Sequence, residues 1–178
     1  SDNIQIAFSQ SIIYGGPNQS FESTFLNPIN FYYADQRNGK IYMNGFWQFL
    51  LYYKINLKSA IYVDFLIDDF IINSDAPNER DLAPDRLGLK VRFASIDLFD
   101  ISNLCSITYT RISNDTYTSA RNYENYTYYK SGIGSSMNSY ESIKISYTDF
   151  RFKSSILNYS INIFQKGSND IFTIFQMK

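Results

Sequence analysis

Polar and apolar positions alternate along this chain most clearly between Ile41 and Phe70, in two runs separated by a turn. In the first run the odd positions are Ile41, Met43, Gly45, Trp47, Phe49, Leu51, Tyr53 and Ile55. The even positions are Tyr42, Asn44, Phe46, Gln48, Leu50, Tyr52 and Lys54. After Asn56-Leu57-Lys58 the pattern resumes, with Ile61, Val63, Phe65 and Ile67 set against Tyr62, Asp64, Leu66 and Asp68. A period of two places successive side chains in two different environments, and two such runs joined by a few polar residues predict an antiparallel hairpin. Each run approaches or exceeds the roughly 9–11 residues with which a tilted strand crosses a bilayer, against ~5–6 for an ordinary globular strand.

The same alternation predicts a first strand over Asn3 to Tyr14, stopped by Gly15-Gly16-Pro17. A fourth strand is expected around Leu87 to Ala94, a fifth around Cys105 to Thr110 and a sixth around Ser142 to Thr148. A seventh spans Ile156 to Ile163, and a last runs from Ile171 to Met177. Three long connections (15–39, 71–86 and 113–139) alternate with short ones, so all long loops share one rim of an up-and-down sheet and the tight turns share the other. Outer-membrane barrels sort their loops in this way, whereas a Greek-key sandwich has no reason to. The predicted fold is therefore an all-β, antiparallel up-and-down transmembrane β-barrel of about eight strands. Residues 1–178 form that domain or the C-terminal part of a larger one.

Composition narrows the function. Aromatic residues make up 18% of the 178, with 16 Tyr and 15 Phe against 8 Gly and 4 Pro, a strand-forming mixture. No run of ~18 apolar residues exists, which excludes helical spans but not a barrel. A net charge of −1 offers nucleic acid no basic face. The absence of histidine removes the commonest general base and a favoured metal ligand, so neither an enzyme nor a cofactor is expected. The single cysteine, Cys105, excludes an intrachain disulfide. A chain that begins within a strand, with no signal peptide, reads as a mature or truncated product. The even-face charges Asp64, Asp68, Lys90, Arg92 and Lys144 suit a wet lumen, with opposite charges paired across the third and fourth strands.

At Asn27-Pro28-Ile29-Asn30-Phe31-Tyr32-Tyr33 and at Leu66-Ile67-Asp68-Asp69-Phe70 the chain resembles the capsule-assembly family typified by Wzi, an outer-membrane β-barrel lectin. Tyr14-Gly15-Gly16, Tyr109-Thr110-Arg111 and Gly132-Ile133-Gly134 are similar to that family as well. At Ser136-Met137-Asn138 the chain departs from the family's Gly-Pro-Asp-like segment and carries no carboxylate. The resemblance covers the C-terminal portion of the family barrel, without its N-terminal helical and early-strand region. It implies a bacterial outer-membrane protein whose partners are membrane lipid and exported capsular or related surface polysaccharide.

Candidate binding residues follow from the rim. Adjacent on a strand, Asp68 and Asp69 are expected on opposite faces, where they cannot cooperate as an acid/base pair. Asp68 is read as a lumenal charge or a ligand contact, and Asp69 as the mark of the outer end of the apolar band. Tyr123, Tyr126 and Tyr128, with Tyr117 and Tyr129, offer flat faces and hydroxyls that suit sugar rings or interfacial packing. Arg111 is placed to meet Asp68 or a sugar acid. No metal-ligand set accompanies these residues, and the Asn-X-Ser/Thr triplets beginning at Asn114, Asn125 and Asn158 read as chance in an Asn-rich chain. The expected function is non-catalytic binding and assembly of surface polysaccharide. The alternatives are a passive pore and a soluble β-barrel module for a small ligand.

Overall fold

The computed structural model describes residues 3–17, 20, 23–27, 32, 43–69, 86–98, 101–118, 127–128, 131–132, 137–152 and 155–167. Seven long antiparallel strands follow one another in a single up-and-down sheet. They are β1 (Ile4–Tyr14), β2 (Met43–Lys54), β3 (Ser59–Asp69), β4 (Arg86–Ile96), β5 (Asn103–Ile112), β8 (Tyr140–Asp149) and β9 (Leu157–Lys166). Within the connection from β5 to β8 a small hairpin pairs β6 (Thr127–Tyr128) with β7 (Ser131–Gly132). The strand ends at Tyr14, Met43, Asp69, Arg86, Ile112 and Tyr140 share one rim, and those at Lys54, Ser59, Ile96, Asn103, Asp149 and Leu157 share the other.

The short turns have local causes. The Asn56 side-chain oxygen accepts from the Lys58 N–H at 2.8 Å while the Ile55 N–H donates to the Ser59 carbonyl at 2.9 Å, closing the β2–β3 hairpin. Asp97 adopts φ 51° at the β4–β5 turn, a conformation Asp tolerates better than most residues. Asn103 then bridges that turn through both the N–H and the carbonyl of Leu98.

The hairpin turn fixes register, and register fixes the two faces. On one face the row Ile4–Tyr53–Ile61–Phe93–Ile107–Ile145–Ile161 crosses all seven strands without a polar residue. Its neighbour, Ile6–Leu51–Val63–Val91–Tyr109–Ile143–Ile163, is apolar as well. One row nearer the long loops, Phe8, Phe49, Phe65 and Leu89 continue the apolar band over β1–β4. Arg111, Glu141 and Gln165 end it over β5, β8 and β9. At the opposite edge it extends through Tyr147, Tyr159 and Leu157. The band therefore runs diagonally to the strands.

This apolar face is not the interior. Ile6 is 75% exposed, Ile163 71% and Ile145 51%, and none of Trp47, Phe65, Val91 and Ile145 is buried. The buried apolar cluster, Phe46, Ile112 and Tyr117 with Ile13, Leu66 and Tyr140 packed against it, lies on the other, polar face near the long-loop rim. No second layer covers the sheet among the described residues.

Four points of the sequence reading meet the structure here. First, the sheet is open, because β1 and β9 are its two edges and do not pair with each other. The all-β, antiparallel, up-and-down architecture is present, but a closed barrel is not. Second, the main sheet holds seven strands, and the eighth strand expected at Ile171 to Met177 lies outside the described residues. Third, a bulge interrupts β3: Ile67 pairs with Leu87, yet Asp69 pairs with Arg86, leaving Asp68 as the extra residue. Strict alternation thus fails between Asp68 and Asp69, and the argument that these neighbours occupy opposite faces does not hold across the bulge. Fourth, Arg111 sits in the row of Phe65 and Leu89 on the apolar side, whereas Asp68 is buried on the polar side, so they do not pair.

Candidate functional site on the polar face

The polar face has a closed end and an open end. At the long-loop rim, residues 113–118 fold back over the sheet and are held there by hydrogen bonds. The Leu87 N–H donates to Ser113 Oγ at 2.8 Å, and the Ser113 N–H donates to the Leu87 carbonyl at 2.9 Å. Thr116 Oγ1 donates to that same carbonyl at 3.2 Å. Asp68, pushed out of the ladder by the bulge, accepts the Tyr117 N–H at 2.6 Å. One strand over, Arg86 donates through Nη1 to the Thr118 carbonyl at 2.9 Å.

From the other side Asn138 Nδ2 donates to the Asn114 carbonyl at 3.1 Å, and Ser139 Oγ to Asn114 Oδ1 at 2.6 Å. Thr116, Thr118, Asn138 and Ser139 are consequently almost fully buried although every one is polar. Tyr117 takes up φ 70° and turns its ring onto Phe46, with centroids 6.1 Å apart. Residues 113–118 form a polar plug, with the Tyr117 ring set against Phe46.

Beneath the plug lies a cavity of about 220 Å³, lined by Gln48, Asp64, Lys90 and Thr110 as well as by Phe46 and Tyr117. Asp64 sits opposite Lys90 in register and accepts from Gln48 Nε2 at 2.8 Å. Farther from the plug the face opens. There one row reads Gln5–Tyr52–Tyr62–Arg92–Thr108–Lys144–Asn162. The rings of Tyr52 and Tyr62 lie 5.0 Å apart, and the Arg92 guanidinium carbon sits 6.0 Å from the Tyr62 centroid. The next row toward the short turns is Lys54–Ala60–Ala94–Ser106–Ser146–Ser160, small beyond its first member. Among the described side chains in the strands, this face carries Lys54, Arg86, Lys90, Arg92, Lys144 and Lys166 against Asp64 and Asp68.

The candidates from the sequence are dispersed. Asp68 is 3% exposed and serves as an anchor for the plug, and Asp69 stands in register with Arg86. Arg111 is exposed at the edge of the apolar band, in register with Glu141, which accepts from the Tyr109 hydroxyl at 2.7 Å. Tyr123, Tyr126 and Tyr129 lie outside the described residues, and of Tyr128 the description covers only its backbone pairing with Ser131. Tyr117 is buried rather than offered to a ligand. Of the Asn27–Tyr33 stretch, the Tyr32 hydroxyl is seen directed at the carbonyls of Phe25 and Asn27, 2.9 Å from each.

Sequence reasoning passed over the Tyr52–Tyr62–Arg92 arrangement. Its signal was available in the register of the β2–β3 hairpin, which places two even-numbered tyrosines side by side. Among the described residues no group of three or more Cys, Asp or Glu side chains is arranged to hold a metal. Among the described residues no helix is long and apolar enough to cross a membrane. Comparisons with protein families, with curated proteins and with solved structures find no match to this chain.

Proposed function

We propose that this chain forms part of the wall of a bacterial outer-membrane β-barrel and that it binds surface polysaccharide without catalysis. The observation that carries the reading is the inversion of the sheet. Its apolar face is exposed across seven strands, while the buried apolar cluster and most of the strand charges lie on the other face. In water an exposed apolar sheet face of this extent is an aggregation hazard, since monomers rarely leave apolar patches beyond a few hundred Å² uncovered. Hydrocarbon covers such a face without a second protein layer. The reading requires the free edges of β1 and β9 to be hydrogen-bonded when the protein is in a bilayer.

Polysaccharide is supported by the resemblance of Asn27–Tyr33 and Leu66–Phe70 to the capsule-assembly family and by the Tyr-rich connection at the long-loop rim. Replacing Tyr123, Tyr126 and Tyr128 together by Ala in the folded protein tests it. Retention of acidic capsule polymer in a pull-down falls away in that variant, whereas no retention by the unaltered protein refutes the reading. A passive pore is the second reading, favoured by the cationic excess on the polar face. Planar-bilayer recording separates the two, because a plugged binding barrel is nearly silent.

A further inference from the structure

We infer that the row Tyr52–Tyr62–Arg92–Thr108–Lys144 is a binding track for an acidic polysaccharide, with sugar rings on the tyrosines and sugar carboxylates on Arg92 and Lys144. This deepens the reading just proposed, and rests on it, by giving the ligand a place and a chemical class away from the rim.

The five residues stand in consecutive register across β2, β3, β4, β5 and β8. Neighbouring strands are ~4.8 Å apart, so the track advances in steps of about one sugar ring. By the same spacing Arg92 and Lys144 lie roughly 10 Å apart, near the repeat of a disaccharide. Tyr62 is 45% exposed and leans on Tyr52, so a flat apolar surface with a hydroxyl at its edge faces the open side. Arg92 is held over that surface, where its planar fork matches a carboxylate better than an ammonium does.

The cations are not consumed by the protein. Among the described residues neither Arg92 nor Lys144 forms an ion pair, and buried Arg92 Nε has no hydrogen-bond partner. Space is available too. A cavity of about 530 Å³ opens over Tyr52, Tyr62 and Arg92, and the next row toward the short turns, Ala60, Ala94, Ser106 and Ser146, carries only small side chains. Stacking surface and cations without an ion-pair partner share one row, the cavity lies over its β2–β4 part, and this combination selects an acidic sugar chain over a neutral one.

The test is calorimetric titration of a hexuronate oligosaccharide into the full chain reconstituted in vesicles. A neutral maltooligosaccharide and inorganic phosphate serve as competitors. The hexuronate binds, and neither competitor displaces it at equal concentration. Arg92→Gln and Tyr62→Ala each weaken binding at least tenfold, and Arg92→Lys recovers part of the loss.

Lipid quenching of Trp47 fluorescence, measured on the same samples, shows that each variant is folded and inserted. Equal binding by inserted Arg92→Gln and Tyr62→Ala overturns the track. Displacement by phosphate reduces it to a simple anion site and overturns it as well, as does equal binding of the neutral sugar. Loss of binding on replacing the rim tyrosines but not Arg92 or Tyr62 sinks the track while sparing the reading it rests on. Failure of Trp47 to meet lipid in the unaltered protein sinks both.

Discussion

The backbone N–H of Tyr117 donates to Asp68 Oδ2 at 2.6 Å, and this bond ties the fold-back after β5 to the bulge at the end of β3. The two residues are far apart in sequence, and each is unusual in its own element: Asp68 is the extra residue of a ladder, and Tyr117 is a non-glycine at φ 70°. The bulge frees the carboxylate from strand geometry, and the carboxylate in turn gives a strained loop position a buried partner.

Replacing Asp68 by Ala leaves the Tyr117 N–H buried without that acceptor, at a cost of about 1–3 kcal/mol. Hydrogen exchange over 113–118 accelerates, and the denaturant midpoint falls. Asp68→Asn retains an acceptor oxygen and loses less. Unchanged exchange in Asp68→Ala means that the loop is held by its other bonds alone.

Gly88 stands in register between Leu66 and Ile112, and both side chains close over it. A Cβ there would lie 3.0 Å from Ile112 Cδ1 and 3.2 Å from Leu66 Cβ. The isoleucine tip can swing aside, but the leucine Cβ is tied to its backbone. Gly88→Val therefore overpacks the cluster beneath the plug and destabilises the protein by about 1–3 kcal/mol. The midpoint of a chemical melt reads this, and a midpoint equal to that of the unaltered chain contradicts the packing described.

Val91 lies centrally in the apolar band, and its register partners Val63 and Tyr109 share that face. Val91→Lys places an ammonium where the account has hydrocarbon, costing about 2–4 kcal/mol near the bilayer midplane. Folding equilibria in vesicles of the unaltered chain and of this variant measure the difference. A change within about 0.5 kcal/mol, the range of an ordinary solvated surface site, contradicts a lipid contact at Val91.

The strands were legible because alternation at period two persists through ten or more residues at a time, long enough to survive local exceptions. Sorting of long and short connections was legible too, since antiparallel order alone decides which loops share a rim. The bulge at Asp68 was not: no glycine marks it, and a one-residue slip leaves Leu66–Asp69 looking like regular strand. Arg111 was set beside Asp68 because both lie near the outer rim. Counting register from the β4–β5 pairing places it instead opposite Leu89 and Glu141, on the other side of the sheet. Tyr117 looked like a loop tyrosine available to a ligand, since nothing in Asp115-Thr116-Tyr117 announces a left-handed backbone that turns the ring inward. The Tyr52–Tyr62 contact needed only the hairpin register, which Asn56 sets.

The chain contains one tryptophan, and Trp47 belongs to the apolar face of β2 on the long-loop side of the band. Its fluorescence in vesicles is therefore a single-site report on what that face touches. With lipids brominated along their acyl chains the emission is quenched, more strongly by bromines near the headgroup than near the bilayer centre, and aqueous iodide has little effect. Quenching by iodide together with indifference to brominated lipid would place this face in water and contradict the membrane wall.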